Sequence, residues 1–201
     1  QVGGITGARQ IAGGLANFPA GFLSDLFRRH TSILLAISMA EIAIAYVIVG
    51  AAPTYTLVLL GMALVGIGGA IWHPPAIGTL SRLWSDRRGL ALSVHGVGAS
   101  IGDTLAPIAV GLLLTALAWR NLLMIGFVPA VVFAMVMAWG LRNMRGQDTA
   151  QQATQGSFLG SLLKLRANLP LLMLLLAGAI RGMGQQALFT FLPIYLRQDL
   201  G

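Results

Sequence analysis

Six stretches of about 20 or more mostly apolar residues, each long enough to cross a hydrocarbon core of about 30 Å, constrain this chain more than any other feature. They run over 1–24, 31–52, 56–80, 89–117, 120–141 and 170–196. Lipid offers backbone N–H and C=O groups no partner, so all six are expected to be helices. The 201 residues are 56% hydrophobic and only 9% charged, with a mean hydropathy of +0.80, which excludes an ordinary soluble domain. Twenty-six Gly and eight Pro fit membrane helices, where both are commoner than in soluble ones. There is no Cys, so disulfides, thiol nucleophiles and thiolate metal sites are all absent.

Charge gives the expected orientation. The net charge of +7 could suggest nucleic acid, but its distribution argues otherwise. Arg28, Arg29, Arg82, Arg87, Arg88, Arg142, Arg145, Lys164 and Arg166 fall in alternate connections, whereas the opposite ones hold only Arg120 and Arg197. An excess of Lys and Arg marks cytoplasmic loops, so the basic turns are expected inside. Residues 142–169 form a long stretch on that side. "RNMRGQDTAQQATQG" reads as flexible linker. Beyond it, Phe158, Leu159, Leu162, Leu163 and Leu165 recur at helical spacing beside Lys164 and Arg166, the pattern of an amphipathic helix on a membrane surface. Three regions are therefore expected: helices over 1–141, a cytoplasmic loop over 142–169, and a helix over 170–201 that opens a second bundle. Neither an initiator Met nor a signal-peptide pattern stands at the start, so the chain reads as a piece of a longer polytopic protein.

The stretch "GFLSDLFRRH" (21–30) sets Gly21, Asp25, Arg28, Arg29 and His30 in one tight turn between apolar segments. A Gly-x-x-x-Asp followed by basic residues resembles the signature loop of the major facilitator superfamily, Gly-x-x-x-Asp-Arg-x-Gly-Arg-Arg. Gly21, Asp25 and Arg29 fit that pattern; Leu26, Arg28 and His30 replace its first Arg, its second Gly and its last basic residue. "SRLWSDRRGLALS" (81–93), "WRNLLMIGFVPAVV" and "TFLPIYL" (190–196) resemble further stretches of the same family. The resemblance implies helices 2–7 of a twelve-helix, two-bundle transporter, and a latching role for Gly21 and Asp25. Gly21 would permit close helix approach, and Asp25 would accept hydrogen bonds at a neighbouring helix N-terminus. The fifth helix of the family's antiporters carries Gly-x-x-x-Gly-Pro-x-x-Gly-Gly; here Gly98, Gly102, Pro107 and Gly111 stand in a similar frame, with Ala106 and Val110 replacing glycines.

Ionisable groups inside a bilayer are costly and usually functional. Arg9, Glu41, His73, His95, Asp103 and Arg181 fall within the spans. His73 and His95 both lie about 10 Å from the inner surface on consecutive helices. "WHPP" adds a helix break beside His73 and also resembles fosmidomycin-resistance-type exporters. An imidazole can change charge near neutral pH, so the pair are candidates to carry a coupling proton. Arg9 and Asp103, both about 22–24 Å from that surface, could form a neutral pair. In the family the seventh helix lines the central cavity, and Arg181 with Gln185 one turn along would suit a carboxylate or phosphate. The family places Glu41 on a supporting helix.

Other classes have less to stand on. "GASIG" (98–102) matches Gly-x-Ser-x-Gly, but that hydrolase elbow needs a strand–turn–helix context, and Ser100 sits among helical small residues. No Gly-x-x-x-x-Gly-Lys-Ser/Thr loop is present for nucleotide-driven transport. The expectation is a non-enzymatic, all-helical secondary transporter in the bacterial cytoplasmic membrane, monomeric, without cofactor, metal or nucleic acid. It would export a drug-like or metabolite molecule against protons by alternating access. Organic-anion uptake and a non-transporting membrane sensor or scaffold are the alternatives.

Overall fold

The computed structural model describes residues 2–142 and 168–199, all helical apart from short connections. Helix α1 runs Val2–Leu26, α2 Thr31–Ala51, α3 Tyr55–Leu83, α4 Arg88–Leu114, α5 Trp119–Gly140 and α6 Leu169–Asp199. Short 3-10 turns at Arg28–His30 and Ser85–Arg87 join α1 to α2 and α3 to α4. The amphipathic stretch expected at 158–166 lies outside the described residues.

Helices α2 to α6 are long and apolar enough to cross a membrane; α1 matches them in length but not in hydropathy. Its 25 residues would rise about 37 Å, but Arg9, Gln10 and Asn17 interrupt the apolar run. Large apolar side chains cover the outside, among them Ile101, Leu105, Ile108 and Leu112 on α4. A soluble monomer could not leave so much apolar surface exposed. The protein is an integral membrane protein.

The local rules that start and stop these helices are visible. The Thr54 hydroxyl accepts the Leu57 N–H at 3.3 Å and caps α3 just beyond Pro53. Asn168 does the same for α6, its side-chain oxygen accepting the Leu171 N–H at 3.2 Å. The break expected at "WHPP" does not occur: α3 continues through Pro74 and Pro75 to Leu83. Proline has no N–H, so the carbonyls of Ala70 and Ile71 lose their α-helical donors while the helix carries on.

The described residues fall into two compact units, 7–142 and 2–6 with 168–199. In the first, α2 is the central helix, packed against both α3 and α5. Its Ala43, Ala45 and Ser38 are wholly buried, and the Ser38 hydroxyl is satisfied by donating to the Leu35 carbonyl at 2.9 Å. Small residues bring the helices close. A Cβ at Gly126 of α5 would lie 3.3 Å from the Tyr46 ring, and one at Gly50 of α2 would lie 3.1 Å from the Arg120 carbonyl. Such close approach replaces the hydrophobic drive that helices lack in lipid. Arg120 closes this seam, donating to the Gly50 carbonyl at 3.4 Å while its guanidinium lies 4.8 Å from the Trp119 ring. Helix α4 contacts α3 and α5 but buries none of its own residues. In the second unit, α6 contains Pro193, and Gln186 donates to the Thr190 hydroxyl at 3.2 Å.

Candidate functional site

Helices α1 and α3 meet through glycine. A Cβ at Gly13 would lie 2.9 Å from the Gly66 carbonyl oxygen, and one at Gly66 would overlap the Arg9 carbonyl. Only a bare Cα fits at Gly66. Beside this crossing the helices leave a half-open cleft of about 240 Å³. Arg9, Gln10, Gly13, Gly14 and Asn17 line it from α1, and Val65, Gly66, Gly69, Ala70 and His73 from α3.

The lining follows from helical periodicity. Gln10, Gly13, Gly14 and Asn17 are spaced i, i+3, i+4, i+7 and share one face of α1. Gly66, Gly69, Ala70 and His73 repeat that spacing on α3. Glycine holds the walls close while Arg9, Gln10, Asn17 and His73 supply the polar groups. Ala70, whose carbonyl is left without its α-helical donor by Pro74, belongs to the same wall. A guanidinium with an imidazole and two amides suits an anionic or multiply hydrogen-bonding solute. Gln10 and Asn17 were not anticipated from the sequence, although their seven-residue spacing around two glycines was there to be read.

The structure regroups the polar residues singled out above. Arg9 and His73 share the cleft, whereas His95 lies half-buried on α4 and is not part of its lining. The possible Arg9–Asp103 pair is not formed among the described residues; Asp103 lies on the exposed run of α4. Arg181 and Gln185 are both exposed on α6, one turn apart.

At the end of α1, the Asp25 carboxylate accepts from Arg28 through Nη2 at 2.9 Å and Nε at 3.3 Å. It does so from an exposed position in the last turn of α1, and Arg28 reaches back to it from the 3-10 turn that follows. The partner of Asp25 among the described residues is thus the residue that stands where the family pattern has its second Gly. Arg29 is exposed in that turn. A Cβ at Gly21 would meet nothing within 4 Å, and the same holds at Gly98, Gly102 and Gly111 of α4, the helix that also contains Pro107. None of these glycines serves close packing among the described residues.

Glu41 of α2 lies elsewhere, in the seam with α3. Its Oε2 stands where a Cβ of Gly68 would be, and both carboxyl oxygens are buried without a hydrogen-bond partner among the described residues.

Comparison with known proteins agrees with this architecture. The fosmidomycin resistance protein of Escherichia coli (strain K12) is 27% identical over 157 residues, which are 77% of this chain and 38% of that protein. An uncharacterized MFS-type transporter of Mycobacterium tuberculosis is 25% identical over 135 residues, 67% of this chain and 23% of the relative. Another, YfnC of Bacillus subtilis, is 32% identical over 89 residues, 43% and 22% of the two chains. The chain therefore matches about two fifths or less of each relative's length. No solved structure gives a significant match. The family model of the Major Facilitator Superfamily matches residues 1–201 from end to end, and the chain belongs to that superfamily.

Proposed function

We propose that this chain forms part of a secondary transporter that exports a small solute in exchange for protons by alternating access, in a bacterial cytoplasmic membrane. The α1–α3 cleft carries the proposal, because it gathers Arg9, Gln10, Asn17 and His73 within helices that are otherwise apolar. Polar groups within membrane-spanning helices are costly unless they serve a solute, an ion or each other. Family membership and the similarity to a fosmidomycin resistance protein support transport and export. In this reading residues 1–141 belong to the first bundle, 142–169 form a cytoplasmic connection, and 170–201 open the second bundle. Asp25 with Arg28 acts in the cytoplasmic gate.

Each cleft residue has a role suited to its chemistry. Arg9 binds an anionic group through its planar fork, and Gln10 and Asn17 orient the solute by hydrogen bonding. His73 and His95 carry coupling protons, and Arg181 with Gln185 contributes from α6. The cationic lining equally suits uptake of an organic anion, and the direction of flux separates the two readings.

The test uses the full-length carrier in proteoliposomes, with fosmidomycin as the first probe. A pH gradient should drive its accumulation. His73→Gln and His95→Gln should each abolish accumulation against a gradient while downhill exchange survives. Arg9→Ala should weaken probe binding more than Arg9→Lys. Accumulation as in wild type by His73→Gln, together with unchanged binding in Arg9→Ala, would remove the cleft from the mechanism, and accumulation as in wild type by His95→Gln would remove that residue from coupling.

A further inference from the structure

Glu41 has no part in the cleft, yet its position demands an account. Both oxygens are buried in the α2–α3 seam, and neither has a hydrogen-bond donor among the described residues. Oε2 rests directly on the Cα of Gly68, with Ile42 pressed against the same glycine. Any other residue at 68 would place a Cβ in the carboxyl group. An ionised carboxylate desolvated without donors is among the most expensive arrangements a protein can hold, and such groups are buried as the neutral acid instead. A purely structural site would favour an apolar side chain there.

The charged and titratable groups around the seam are few. Helix α3 carries Tyr55, His73 and Arg82, α5 carries Arg120, α2 itself has Tyr46, and the preceding turn has Arg28, Arg29 and His30. Arg82 is engaged with Thr79, Arg120 with the Gly50 carbonyl and Arg28 with Asp25; Tyr46 faces Gly126, and His73 faces the cleft. None of them hydrogen-bonds Glu41. No fixed counter-charge therefore holds the carboxylate, and its charge can change only with access to water.

Helix α3 links this seam to the cleft. Along "GIGGA" (66–70), Gly66 receives α1, Gly68 receives Glu41, and Gly69 and Ala70 line the cleft. We propose that Glu41 is an exchangeable proton-binding site in the α2–α3 seam, loaded and emptied as α3 shifts on this glycine waist. When the seam is closed, as here, the carboxyl keeps its proton. When α3 moves away, water enters, the carboxyl O–H bond breaks, and the proton passes to water and leaves a carboxylate. Returning α3 requires the proton back. The proposal rests on the transporter reading for what moves α3; proton binding itself can be measured without any solute.

The measurement is infrared spectroscopy of the reconstituted full-length protein during a pH titration. The wild type should show the carbonyl stretch of a protonated carboxyl that disappears as pH rises. Glu41→Gln, which keeps shape and removes the acid, should lose that band, and Asp103→Asn should retain it. Gly68→Ala should shift or weaken the band, since its Cβ would displace Oε2. Identical wild-type and Glu41→Gln spectra would overturn the proposal, and so would a Glu41 band that ignores pH. Gradient-driven flux together with no pH-responsive Glu41 band would refute this site and leave the transporter reading standing. A titrating Glu41 band in a protein that moves no solute would do the reverse.

Discussion

Helices α3 and α4 are both glycine-rich, and their glycines meet opposite surroundings. On α3, Gly61, Gly66 and Gly68 are buried, each against an atom that leaves no room for a methyl group. On α4, Gly98, Gly102 and Gly111 face open space, and the helix buries nothing. Glycine is therefore not one signal. On α3 it is a spacer that brings two neighbours within backbone distance. On α4 it meets nothing among the described residues. The contrast yields measurable differences between substitutions that look alike on paper.

The largest effect should come from Gly66→Ala. The new methyl would meet the Arg9 backbone carbonyl, which cannot swing away as a side chain could, so α1 must separate from α3. Overpacking of this kind costs about 1–3 kcal/mol and sometimes more. Thermal unfolding of the detergent-solubilised full-length protein should show a clear drop in Tm, and a wild-type melt would mean that α1 and α3 do not cross at Gly66.

Gly68→Ala should cost less, about 1 kcal/mol, because its clashes are with the side chains of Glu41 and Ile42, which can give way, and not with backbone. Pairing it with Glu41→Ala gives a double-mutant cycle. The two changes should be strongly non-additive, the double variant melting above the sum of the single losses. Additive losses would separate Glu41 from Gly68.

For Gly102→Ala the expected stability change is small and can even be a gain of about 0.5–1 kcal/mol, since alanine is the better helix former and nothing stands in its way. Flux is the sharper measurement here. Preserved stability with lost transport would show that α4 packs against another part of the carrier during the cycle. A large loss of Tm would break the contrast with α3.

The smallest stability effect is expected at the exposed turn. Removing the Arg28 partner in Arg28→Ala should change stability by less than about 1 kcal/mol, and less still at high salt. Asp25→Asn should likewise express and melt normally while transport falls. Unchanged transport would reduce the turn to a charged anchor.

Most helices were legible before any coordinates. The expected span at 56–80 became Tyr55–Leu83 and that at 120–141 became Trp119–Gly140, while the one at 89–117 stops early, at Leu114. Hydropathy, length and the basic turns are properties of neighbouring residues, and lipid makes a helix the outcome for each apolar run. Even the polar face of α1 could be read in this way, since Gln10 and Asn17 are set by periodicity within one helix.

What the sequence by itself determined was thus the number and extent of the helices, their membrane character and the family they resemble. Only the tertiary structure decided where the polar residues fall: Arg9 and His73 in the lining of one cleft, Asp25 with Arg28 at the end of α1, and Glu41 against a glycine. The reason is physical. In water, an apolar stripe tells which face of a helix is buried. In a membrane, lipid-facing and helix-facing surfaces are both apolar, so hydropathy is silent about neighbours. Contact is then set by shape, by which glycine leaves room for which backbone, and that depends on residues more than fifty positions apart, as Gly13 and Gly66 are.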